Sequence, residues 1–147
     1  MQIPISTLLA QKDPVVRSVP PTATVQDAVA MMATYRIGCV VVMEADHLAG
    51  IFTEHDAITR VIIPGIDPRT TPIAQVMTAR PLTVESTLTL GKAMAIISEK
   101  RVRHLPIVED GRLIGLVSIG DLNKWMVEHL QFEAATLRSY VACQYPG

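Results

Sequence analysis

Two short stretches, GIFTEHDA (Gly50 to Ala57) and GLVSIGDL (Gly115 to Leu122), carry the residues in this chain best suited to chemistry. Each sets a hydroxyl three positions before a carboxylate, Thr53 with Asp56 and Ser118 with Asp121, where a strand reads into a helix. Such a pair has two uses. Folded inward, it is an N-cap hydroxyl followed by an acidic residue in the first turn. Asp there is one methylene shorter than the Glu or Gln of a reciprocal capping box, so it is expected to reach back less well. Turned outward, the same groups meet a ligand. The helix start offers free N–H groups to an anion, the hydroxyl adds a donor, and the carboxylate accepts from the vicinal diol of a ribose. Charge-assisted bonds of that kind contribute roughly 1.5–3 kcal/mol each. Gly50 and Gly115 would let another group come close to the backbone. On these residues both uses stay open.

The elements that must hold these pairs come from an internal repeat. Shifting the sequence by 65 positions aligns Val15–Ala57 with Arg80–Leu122 without a gap, with Thr24/Thr89, Arg36/Arg101, Gly50/Gly115 and Asp56/Asp121 among the identities. Each copy predicts a short opening strand, Val15–Val19 or Pro81–Val84. A helix follows, capped by Thr24 or Thr89, with an apolar stripe at Val25, Ala28, Val29, Met32 or Leu90, Ala93, Met94, Ile97. Two strands come next, CVVVM and LAGIFT or LPIV and LIGLVS, the second pair joined by a hairpin at Asp110-Gly111. The second helix of each copy starts after Thr53 or Ser118. The fold class is therefore α+β, two β-α-β-β-α units related by an approximate twofold and sharing an apolar layer, with one cleft per copy. The proline-rich stretch IIPGIDPRTTP reads as an ordered connector. The division is 1–61 for the first repeat with its N-terminal segment, 62–75 for the linker, 76–130 for the second repeat and 131–147 for a helical tail. Leu122, Trp125, Met126, Leu130, Phe132 and Leu137 keep helical spacing at that end.

Composition narrows the function. The 147 residues are 49% hydrophobic and 18% charged, with net charge −1 and 4% aromatic. That gives no basic footprint for nucleic acid and no stacking platform for single strands. The longest apolar runs are strand-sized, and the N-terminus lacks the pattern of a signal peptide, so no membrane association and a cytoplasmic location are expected. Cys39 and Cys143 are too few for a disulfide framework or a zinc site. No nucleophile–base pair, metal constellation or phosphate-loop fingerprint stands out, so no enzyme and no catalytic cofactor are expected.

The duplicated pattern, with RVRHLPIVEDGRLIGLVSIGDL, GIFTEHD and VMTARPLTV, resembles a tandem pair of CBS domains, a Bateman module, over about Ile3 to Leu130. The resemblance implies a regulatory module for adenosine-containing ligands: AMP, ADP, ATP, NAD(H) or S-adenosylmethionine. It makes Asp56 and Asp121 ribose ligands, with Thr53 and Ser118 near the phosphate. It adds Arg103 and His104 toward phosphates, and Arg17, Ser18 and Ala23 from the opposite repeat, in the second cleft. For the first cleft it adds Gly38, Cys39, Leu82 and Thr83. With two basic residues and the Leu-Pro step in its own copy, the second cleft is the one expected to favour a charged phosphate. A homodimer and an unidentified target protein are the partners implied. The alternative is an interaction or scaffold protein whose clefts are vestigial and whose hydroxyl–Asp pairs are caps alone.

Overall fold

The computed structural model describes residues 2–129. The elements are α1 (Ile5–Gln11), β1 (Ser18–Val19), α2 (Val25–Tyr35), β2 (Cys39–Glu44), β3 (His47–Thr53) and α3 (Glu54–Asp56). α3 runs on into a π-helical stretch, Ala57–Ile62, and a 3₁₀ turn, Ile73–Gln75, precedes β4 (Thr78–Ala79). α4 (Leu90–Lys100), β5 (His104–Glu109) and β6 (Arg112–Ser118) follow. α5 covers residues 119–129, and the expected contributions of Leu130, Phe132 and Leu137 lie outside the described residues. No helix among the described residues is long and apolar enough to cross a membrane.

The repeat recurs at the level of backbone detail. Thr24 and Thr89 accept from the amides of Asp27 and Lys92 at the starts of α2 and α4. Both helices end on a left-handed arginine, Arg36 at φ 53° and Arg101 at φ 54°. β2 pairs antiparallel with β3 and β5 with β6, with a register shift at Val42/Met43 and again at Ile107/Val108. The Asp110-Gly111 hairpin forms, with both residues at positive φ, as the sequence predicts. The opening strands are shorter than expected: β1 is Ser18–Val19, and its counterpart is a single parallel bridge, Val84 to Ile107. Of the predicted helix stripes, Val25, Ala28, Met32, Leu90, Ala93 and Ile97 are buried, while Val29 is exposed.

The core departs from the expected single shared layer. One cluster gathers Val25, Ala28, Met32, Val40, Val42 and Phe52 of the first repeat; the other gathers Leu90, Ala93, Ile97, Leu105, Ile107 and Val117 of the second, closed by Leu122 and Trp125 of α5. The ends of the repeats are exchanged. Ile5 and Leu8 of α1 are buried in the second cluster, and Ile73 and Val76 are buried in the first. β4 likewise joins the edge of the first sheet, whose order is β1-β2-β3-β4. The connector docks on the start of α2, where the Val25 amide donates to Thr71 O at 3.0 Å. What the repeats share is thinner: β3 and β6 lie against each other, and Cys39, Val41 and Ile51 are buried outside both clusters.

Candidate functional site

Both hydroxyl–Asp pairs form complete capping boxes. The Asp56 amide donates to Thr53 Oγ1 at 3.1 Å and the Thr53 amide to Asp56 Oδ2 at 3.0 Å. The Asp121 amide donates to Ser118 Oγ at 3.0 Å and the Ser118 amide to Asp121 Oδ2 at 2.8 Å. The expectation that Asp reaches back less well than Glu or Gln is corrected, because both reciprocal bonds close at ordinary hydrogen-bond length. The extended conformation of the cap residue brings its amide over the first turn, and Thr24–Asp27 closes a third such box. The cap role is thus real at both junctions, and what separates them is what lies beyond the box.

At the first junction the carboxylate is shut in. Thr78 Oγ1 donates to Asp56 Oδ1 and Oδ2 at 3.2 and 3.3 Å, and Arg60 Nε stands 3.6 Å from Oδ1. Only 7% of the Asp56 side chain is exposed. The close approach that Gly50 permits is made by the protein itself: a Cβ there would stand 2.5 Å from Met77 Sδ and 2.8 Å from Thr78 O. Leu82 and Thr83, expected in this cleft, are exposed on the segment after β4.

At the second junction 26% of the Asp121 side chain is exposed, on a cavity of about 480 Å³. Ser118, Asp121, His104 and Arg17, four of the residues the resemblance assigns to this cleft, line it together. Gly38 and Cys39 also line it, although the sequence assigns them to the first cleft. They stand between the two, Cys39 opposite Thr53 in the β2–β3 register and Gly38 within 3.5 Å of the His104 ring for a Cβ placed on it. Arg103 departs from expectation. It is exposed and borders a separate groove between α4 and α5, with Met94, Ile97 and Leu122. Arg103 stands in the bend before β5 and His104 is that strand's first residue, and the two border different cavities. Ser18 is exposed on the edge of the first sheet, and Ala23 packs against the first core.

Two cations absent from the sequence-based set take Arg103's place. Arg36 reaches the cavity from the left-handed end of α2. Lys12 Nζ, just past α1, donates to Leu116 O at 2.6 Å and to Asp121 Oδ2. The sequence offers no signal that places either Arg36 or Lys12 in this cavity. Arg17 stacks over the Tyr35 ring at 3.6 Å, held at the rim.

The electrostatics follow from this placement. Burial pushes the Asp121 carboxyl up, but hydrogen bonds from Lys12 and the Ser118 amide outweigh it and hold the group below its ordinary value. Burial holds the His104 imidazole below its ordinary value, and the Lys12 ammonium adds to that. Burial pushes the Cys39 thiol up to about 12, with the Asp56 carboxylate adding, so Cys39 is a packing residue in the cavity wall and no nucleophile. A recess of mixed apolar and charged lining, with a carboxylate at a helix start and three cations, suits an anionic ligand carrying a diol.

Comparison with known proteins agrees with this architecture. The CBS domain family profile matches residues 6–62 and 73–128. The chain is 34% identical over 127 residues to the CBS domain-containing protein CBSX3, mitochondrial, of Arabidopsis thaliana, covering 83% of this chain and 62% of that protein, so it spans less than two thirds of that relative's length. The crystal structure of the CBS domain NE2398 superposes with a TM-score of 0.81 at 36% identity, over 84% of this chain and 97% of the other. The CBS domain protein PAE2072 from Pyrobaculum aerophilum, solved as a complex with AMP, superposes with a TM-score of 0.71 at 28% identity, over 81% and 89%. The doubled β-α-β-β-α architecture, the paired capping junctions and these likenesses together make the chain a member of the CBS-domain family.

Proposed function

We propose that this chain is a regulatory module that takes an adenosine-containing ligand (AMP, ADP, ATP, NAD(H) or S-adenosylmethionine) in its second cleft and transmits occupancy through the relative placement of its two repeats or of two copies of the chain. The observation that carries the reading is the cavity of about 480 Å³ with a partly exposed Asp121 at a helix start. Its volume falls in the range of small-molecule pockets. The AMP complex of PAE2072 supports the same chemistry in a structural relative. A ligand spanning α1, the segment leading into β1 and the β5–β6 hairpin touches elements of both repeats, and so has the differential contacts that a shift between arrangements requires.

The vestigial-site reading has a specific observation in its favour at the first cleft, where Thr78 and Arg60 cover Asp56 and Met77 fills the space over Gly50. There the hydroxyl–Asp pair serves the fold. The module therefore works with one ligand per chain. Calorimetric titration of AMP, ATP, NADH and S-adenosylmethionine tests this. At least one should give saturable heat with a stoichiometry near one per chain, and Asp121→Ala should weaken it by about tenfold or more, the worth of a charge-assisted bond. No saturable heat with any of the four rejects the sensor and leaves the scaffold.

A further inference from the structure

The two junctions differ because of three residues. Leu9 lies over Gly115 as Met77 lies over Gly50, each within the space a Cβ would need. The Ile5 amide donates to Leu88 O at 2.8 Å just as the Ile73 amide donates to Ala23 O at 2.7 Å, and Leu88 and Ala23 are partners in the repeat. Leu9 and Met77 are thus equivalent, as are Val15 and Arg80, where the gapless repeat begins. Yet Val15 follows Leu9 by six positions, while Arg80 follows Met77 by only three. The shorter route takes the chain straight into β4, whose backbone pairs with Ile51 and whose Thr78 hydroxyl covers Asp56. The longer route extends α1 by a turn and carries Lys12 out over the cleft.

Lys12 does with one ammonium what β4 does with a strand. It donates to Leu116 O, the counterpart of Ile51, and to Asp121, the counterpart of Asp56. The replacement is reversible where the strand is not. β4 is held by backbone pairing and by Met77 beneath it, whereas the Lys12 side chain swings on single-bond rotations and is 30% exposed. Asp121 Oδ2 already accepts from the Ser118 amide and from Lys12, so a diol laid across both carboxylate oxygens competes with the ammonium. Releasing it leaves a cation beside Arg17 and Arg36 with its counter-ion engaged elsewhere. An uncharged nucleoside leaves that charge unmatched in a partly desolvated recess; a phosphate matches it.

Resting on the adenosyl-ligand reading above, we propose that Lys12 is the specificity-determining residue of the second cleft: it covers Asp121 in the free protein and makes the cleft select phosphorylated over uncharged adenosyl ligands. Calorimetry with AMP and with adenosine, on wild type, Lys12→Met and Lys12→Arg, tests it, with thermal melts to verify that each variant is folded. Wild type should bind AMP more tightly than adenosine. In Lys12→Met adenosine should bind more tightly than to wild type and AMP less tightly, so that the preference falls about tenfold; Lys12→Arg should keep it. A preference unchanged in Lys12→Met, or a wild type that binds adenosine as well as AMP, overturns the role of Lys12 while leaving the sensor standing. Failure of wild type to bind either compound, or any of the other adenosyl ligands, takes down the sensor and this inference with it.

Discussion

His104 shows how much one side chain's surroundings decide. It sits at the start of β5, opposite Ser118 in the β5–β6 register, with its Nδ1 buried and unpartnered among the described residues. Burial and the Lys12 ammonium favour its neutral form, while Asp121 and Glu54 oppose them without prevailing. A histidine whose folded pKa lies below its unfolded value resists a proton that the unfolded chain accepts. Stability is therefore greatest above the ordinary histidine pKa of about 6.5 and falls as the pH drops through it. Melting temperatures recorded between about pH 7.5 and pH 5 should drop more steeply for wild type than for His104→Gln. Parallel curves would show that this ring titrates freely. Asp121 has the same sign in a lower window, its contribution being present above the ordinary carboxylate pKa and lost in stronger acid, so the two are separable by the pH at which each loss occurs.

Among elements, the contrast lies in how each sheet edge is closed. At β3 the closure is β4, with backbone and Met77 pressed against Gly50; at β6 it is Leu9 and Lys12. A methyl group at position 50 would meet Thr78 O at 2.8 Å, a backbone atom that cannot yield without breaking the pairing. At position 115 it would meet only the end of the Leu9 side chain, at 2.8 Å, which can rotate away. Gly50→Ala should therefore lower stability by about 1–3 kcal/mol, and Gly115→Ala by clearly less. Urea denaturation of the two variants compares them, and equal losses would mean that the edges are closed alike. The strands, helix caps and Asp110-Gly111 hairpin were legible in the sequence because their determinants are local: hydrophobic period, cap hydroxyls and turn residues a few positions apart. β4 was not. VMTARPLTV reads as the opening of the second copy, and nothing within it says that Thr78 and Ala79 pair with a strand of the first. Lys12 was equally hidden, since its partner Asp121 lies 109 positions away and a lone lysine after a short helix reads as a solvated charge. Arg103 lies apart from the Asp121 cavity because the chain bends before β5, a bend that RVRHLP does not reveal.

For the molecule as a whole, the exchanged ends make stability a joint property. Ile5 is fully buried, yet its neighbours in the core are residues of α4, β5 and α5. Ile5→Ala should cost about 2–5 kcal/mol. Because Lys12 hangs from the same helix, the loss should come with a loosened second cleft. Differential scanning calorimetry should still give one transition, at a lower temperature, since each core borrows a piece from across the chain. Two resolved transitions would mean that the repeats melt independently. The family and its doubled fold were legible from the sequence at this scale, because duplication is visible as self-similarity; the crossing of the ends was not, because an apolar Ile-x-x-Leu segment can cap either core.

That crossing also bears on how the chain is made. α1 is synthesised well before the surfaces that receive Ile5 and Leu8, which belong to residues 90–125. The first repeat, whose closing residues Ile73 and Val76 come soon after its last strand, can complete itself early in translation. α1 must wait, its apolar side uncovered, until α5 has left the ribosome, so the second cleft beneath Lys12 takes shape only after the first repeat has closed.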